Sequence, residues 1–159
     1  MNKKKVFIIV VSWLVVLATM LIIARFSLED NRESTSSSDE IFDSVIKDDS
    51  SLTKEEIRTA HRVIRKMAHL GIYMLLGFCL NNAFFVTLDF NVPLNISLAC
   101  FFGFSFSIFD EFIIQGNTEG RTPMFSDVLI DLAGLIIGTI LLASFVAFIK
   151  IIKKKEISK

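Results

Sequence analysis

Residues 128–149 read VLIDLAGLIIGTILLASFVAFI. Apart from Asp131 the run is free of charge, and an α-helix crosses the hydrocarbon core of a bilayer in about 20 residues. Three other stretches have the same character: Val6 to about Ala24, about Met67 to Leu88, and about Leu94 to Ile114. In lipid every backbone polar group must be satisfied within the chain, so four such runs predict four helices. The expected fold is therefore all-α: a four-helix integral membrane bundle, with an amphipathic surface helix before the second span.

The composition agrees. The chain has 159 residues, 52% of them hydrophobic, and 16 Phe against one Tyr and one Trp. A soluble domain of this size needs more polar surface. Formal charge balances at 17 basic and 17 acidic residues, so net charge names no partner and gives no basic footprint for nucleic acid. Cys79 and Cys100 fall inside apolar runs without metal-ligand spacing and read as small packing residues.

The organisation follows in four parts: residues 1–24 as the first span, 25–66 as an extracytoplasmic segment, 67–149 as a core of three spans, and 150–159 as a basic tail. Three lysines precede the first span, but its core is long and no A-x-A pattern follows, so it reads as an uncleaved helix and not a signal peptide. Residues 25–66 begin serine-rich, poor in hydrophobes and mobile in expectation. From Thr53 and Glu56, which form a capping box, Ile57, Ala60, Ile64 and Met67 keep helical spacing. That piece predicts an amphipathic helix on the membrane surface.

Eight lysines, at positions 3–5, 150, 153–155 and 159, lie on the terminal segments. Basic clusters flanking spans stay in the cytoplasm, which puts both termini on the cytoplasmic side of a cell membrane and residues 25–66 and 115–127 on the outer side. Arg58, Arg62, Arg65 and Lys66 then crowd the outer entrance of the second span against that rule and require a local reason. The polar residues supply one. Arg65, His69 and Tyr73 share a helix face at i, i+4, i+8. Asp110 and Glu111, with Gln115 four residues after Glu111, close the third span. Arg121 lies in the outer loop, and Asp127 and Asp131 open the fourth span. All fall at one end of the bundle. A charge near the middle of a membrane helix costs about 2.5–3.5 kcal/mol, so these groups are expected to pack together, with Arg65, His69 and Arg121 facing the acids. Gly134 and Gly138 form a small-xxx-small pattern for close helix approach.

Arg65-Lys66-x-x-His69-x-x-x-Tyr73-x-x-Leu76-Gly77 resembles the second-helix motif of the VanZ-like family. Asp110-Glu111-x-x-x-Gln115, followed by Arg121, Asp127, Gly134 and Gly138, resembles that family's second block. Together the blocks cover residues from about 65 to 138, and Arg25-Phe26-Ser27 looks like the short family motif after the first helix. Asp131 departs from the pattern, standing where Asn is common. The resemblance implies a small multi-spanning bacterial envelope protein; the founding member is associated with low-level teicoplanin resistance.

Three functional classes follow. In the first, a binding protein, Arg65, Tyr73, Gln115, Arg121, Asp127 and Asp131 hold an anionic or peptidic ligand: a lipid headgroup, a cell-wall precursor or a glycopeptide. In the second, an intramembrane enzyme, Asp110 or Glu111 acts as general acid/base and His69 relays protons. The third, a small transporter, requires polar residues continuing through the inner half, where Asn81, Asn82, Ser97, Ser105, Ser107 and Thr139 are few. Gly77, Gly134 and Gly138 are assigned to helix packing. No H-E-x-x-H or other fixed metal spacing occurs, so neither metal nor cofactor is expected. Ser126 lacks a nucleophile elbow and reads as the N-cap of the fourth helix after Pro123, and His61 as solvated.

Overall fold

A computed structural model describes residues 2–28, 54–88, 92–118 and 122–157. Helix α1 spans Lys3–Ser27, α2 Lys54–Thr87, α3 Val92–Phe109 and α4 Phe125–Ile157. A π-helical turn at Asp110–Ile114 and a 3-10 turn at Gln115–Asn117 prolong α3. Among the described residues there is no strand, and four helical segments are long and apolar enough to cross a membrane. The chain is a multi-pass membrane protein of the all-α four-helix class.

Local chemistry accounts for the helix ends. The Asn2 side chain accepts a hydrogen bond from the Lys4 backbone N–H at 3.1 Å, occupying a donor that α1 would otherwise leave open. Glu55 and Glu56 sit in the first turn of α2, where carboxylates oppose the positive end of the helix dipole. The amphipathic piece and the second span are one uninterrupted helix of 34 residues. At 1.5 Å per residue α2 is about 51 Å long, against about 30 Å of hydrocarbon. Its charged first turns thus run directly into the span. Helix α4 likewise continues through part of the basic tail to Ile157. The serine-rich stretch, Thr53 of the expected capping box and the Asp89 turn lie outside the described residues.

Helices α2 and α4 pack through glycine. A Cβ on Gly138 would meet the Met74 carbonyl oxygen and lie 2.8 Å from the Phe78 nitrogen; one on Gly134 would lie 2.5 Å from the Leu70 oxygen; one on Gly77 would meet the Leu135 backbone. The two backbones touch, which lets Leu135 reach across to the surface of Gly103 on α3. Tyr73, Leu76, Ala99 and Leu135 are fully buried in the core, with Val16 and Ile23 packing from α1.

Polar groups segregate to the two ends of this core. Near the chain termini, Trp13 Nε1 donates to Thr87 Oγ1 at 3.1 Å, Asn82 Nδ2 to Ser12 Oγ at 3.3 Å, and Asn81 Nδ2 to the Thr139 carbonyl at 2.9 Å. The second polar zone lies at the distal end, opposite both termini. Leu76, Ala99, Gly103 and Leu135, all buried, separate the two.

Gly138→Ala should overpack the α2–α4 contact and lower stability by about 1–3 kcal/mol in reversible detergent unfolding. Gly71, whose Cβ would meet nothing within 4 Å, is the control. Gly71→Ala should be neutral or stabilise by up to about 1 kcal/mol, the helix-propensity difference.

Candidate functional site

The distal zone is organised by the π-turn. Here Asp110 and Glu111 open the widened turn and both are buried, at 0% and 2% exposure. Single π-turns inside helices recur at functional sites. The Gln115 backbone N–H donates to the carbonyls of both Asp110 and Glu111, and its side chain bonds the same two residues.

Asp110 is held from three elements at one oxygen. Oδ2 accepts from Ser27 Oγ of α1 at 2.8 Å, from Tyr73 Oη of α2 at 3.3 Å and from Gln115 Nε2 at 3.3 Å. Its Oδ1 is buried without a hydrogen-bond partner. Glu111 has both oxygens engaged: Oε1 accepts from the Met124 backbone N–H at 2.7 Å and Oε2 from Gln115 Nε2 at 2.8 Å. It thereby ties the end of α3 to the entrance of α4. Thr118 Oγ1 adds a bond to the Ser27 carbonyl at 3.3 Å.

Asp131, fully buried on α4, accepts at Oδ2 from Ser107 Oγ at 2.7 Å. Its Oδ1 lies 3.4 Å from His69 Nδ1, an ion-pair distance at which neither atom has a well-aligned hydrogen bond. The His69 ring stacks on Tyr73, with centroids 6.3 Å apart. One turn before Asp131, Asp127 pairs with Lys66 at 3.1 Å. Arg65, Lys66, His69, Asp127 and Ile130 line a surface cleft too narrow to admit a water molecule.

The sequence-predicted residues His69, Tyr73, Asp110, Glu111, Gln115, Asp127 and Asp131 thus meet at one end, with Arg65 on the cleft wall. Arg121 lies outside the described residues. Among the described residues, Asp110 and Glu111 are met by the neutral donors Ser27, Tyr73, Gln115 and the Met124 N–H, and Lys66 pairs with Asp127. Helix α4 begins at Phe125, so Ser126 is not its N-cap; the Ser126 hydroxyl donates to Asp127 Oδ1 at 3.2 Å inside the first turn. Sequence reading missed Ser27, Ser107 and the Met124 N–H as partners. Among the described residues no group of three or more His, Cys, Asp or Glu is placed to hold a metal ion.

These features define a class: a small four-helix membrane protein whose three later helices enclose a carboxylate-rich polar cluster at one end. Residues 6–148 match the VanZ/LLP1 family model, and the chain belongs to that family. No curated protein and no solved structure matches the chain significantly.

Ser27→Ala should remove the shortest donor to Asp110 and leave a buried carboxylate less satisfied, costing about 1–3 kcal/mol in the same unfolding assay. Ser97, exposed and bonded only to the Pro93 carbonyl four residues back, is the control; Ser97→Ala should stay within about 0.5 kcal/mol.

Proposed function

We propose that this VanZ-like protein of the bacterial cell envelope binds an anionic or peptidic envelope ligand at the distal cleft, with both termini cytoplasmic and the cleft facing outward. The observation that carries the reading is the grouping of basic side chains: Arg65, Lys66 and His69 lie together on the wall of the closed cleft, with His69 Nδ1 3.4 Å from the buried Asp131. Arginine and lysine are the side chains suited to phosphate and carboxylate groups, and Arg65 lies about 33 Å along α2 from Thr87, about one hydrocarbon thickness from the far end of the span. A lipid headgroup, a cell-wall precursor and a glycopeptide all present such groups there. Occupying or shielding a wall precursor would contribute to glycopeptide, including teicoplanin, tolerance.

An intramembrane enzyme acting on a lipid-linked substrate is the second reading, and one observation reshapes it. Both Glu111 oxygens are committed to internal donors. Acid–base chemistry would therefore fall to His69, backed by Asp131, or to Asp110, which keeps one oxygen without a donor. Transport is disfavoured by the apolar layer of Leu76, Ala99 and Leu135 between the polar zones.

For the full chain in nanodiscs, a lipid-linked pyrophosphate precursor titrated by native mass spectrometry should bind about tenfold more weakly to Arg65→Ala, a loss of about 1.4 kcal/mol. Glu111→Gln retains an acceptor for the Met124 N–H and should stay within about threefold of wild type, or 0.7 kcal/mol. Loss of function in Glu111→Gln, with folding and Arg65 dependence intact, would instead favour the enzyme. A cysteine at the exposed position 117 should react in intact cells with an impermeant maleimide. Reaction only from the cytoplasmic side would overturn the outward orientation.

A further inference from the structure

We infer that the ligand of the distal cleft is a zwitterion, with a primary ammonium close to its phosphate or carboxylate. The inference rests on the binding role proposed above and supplies the cationic half of the ligand. Its starting point is the Lys66–Asp127 pair across the cleft, 3.1 Å apart, with side chains 31% and 17% exposed. A ligand anion drawn to Lys66 and Arg65 competes with Asp127 for the Lys66 ammonium. A purely anionic ligand that wins this competition leaves Asp127 without its cation, one turn from the fully buried Asp131. Breaking a partly desolvated ion pair by withdrawing one partner costs more than the pair was worth, because the other charge stays behind.

A zwitterion exchanges both partners at once. Its anion replaces Asp127 on Lys66, and its ammonium replaces Lys66 on Asp127, so no charge is left alone. A second observation points the same way. Asp131 Oδ1 and Asp110 Oδ1 are buried and accept no hydrogen bond. Both oxygens are therefore open to an added N–H donor. A primary ammonium brings three N–H donors, whereas a quaternary ammonium brings none. Phosphoethanolamine lipids and the ends of free peptides share this chemistry.

The test uses the full chain in detergent micelles and native mass spectrometry of retained lipid. Phosphatidylethanolamine should be retained about fivefold better than phosphatidylcholine, with a quaternary ammonium on the same phosphate, or phosphatidylglycerol, with the anion alone; fivefold corresponds to one partly exposed ion pair. Arg65→Ala should weaken all retention, and Asp127→Asn should erase the preference alone. Displacement by glycerophosphoethanolamine identifies a lipid headgroup as the source, and displacement by alanyl-alanine at lower concentration identifies a peptide end. Arg65-sensitive retention of phosphatidylglycerol at or above that of phosphatidylethanolamine would overturn the zwitterion and leave the binding role standing. Failure of all these probes to show Arg65-sensitive binding would overturn both. The wild-type comparison of the three lipids decides the matter even where Asp127→Asn does not fold.

Discussion

A carboxylate inside a membrane-spanning helix has no water to solvate it, and the cost of leaving it unsatisfied exceeds that of most packing defects. Asp110 is such a group, and its Oδ2 gathers donors from α1, α2 and the turn that prolongs α3. One oxygen therefore fixes the relative position of three segments distant in sequence. Gln115 carries the constraint to Glu111, and Glu111 carries it to the Met124 N–H at the mouth of α4. The distal end is a hydrogen-bonded ring of helix termini, closed through groups that have no alternative partner in lipid.

Glycine contact sets the remaining geometry. Apolar side chains gain little by leaving lipid for one another, so helix association in a bilayer relies on close packing. Gly77, Gly134 and Gly138 bring α2 and α4 into backbone contact, and Leu135 fills the space up to Gly103. This dry layer lies directly below the polar ring. It prevents the ring from relaxing toward the middle of the bundle and keeps the two polar zones apart.

Much of this was legible in the sequence because its signals are one-dimensional. Four apolar runs of bilayer length imply four helices, and the alternating direction of successive spans brings His69, Asp110 and Asp131 to one end. The glycine spacing on the fourth run marked a close contact, although not its partner. What escaped was local geometry without a compositional signature. The π-turn at Asp110–Ile114 looks like ordinary helix in sequence, yet there the Gln115 N–H reaches the carbonyls of both Asp110 and Glu111. Ser27 and Ser107 resemble the many serines that bond their own helix backbone, as Ser97 and Ser105 do. Choosing Lys66 over Arg65 as the partner of Asp127 depends on a rotation of α2 that periodicity gives only to within a residue.

The same geometry constrains access to the cleft. Gly134 abuts the Leu70 carbonyl, one turn from Lys66 along α2 and two turns from Asp127 along α4, so the two helices cannot spread there without losing their backbone contact. Rigid-body opening would also pull Asp131 from Ser107 on α3. The side chains of Arg65 and Lys66 are long, partly exposed and free to rotate about several bonds, at a far smaller cost than helix separation. The ligand proposed above would enter by these two side chains swinging aside, while the backbone and the ring of buried donors stay in place. A zwitterion, which would replace their charges and not merely remove them, fits this arrangement.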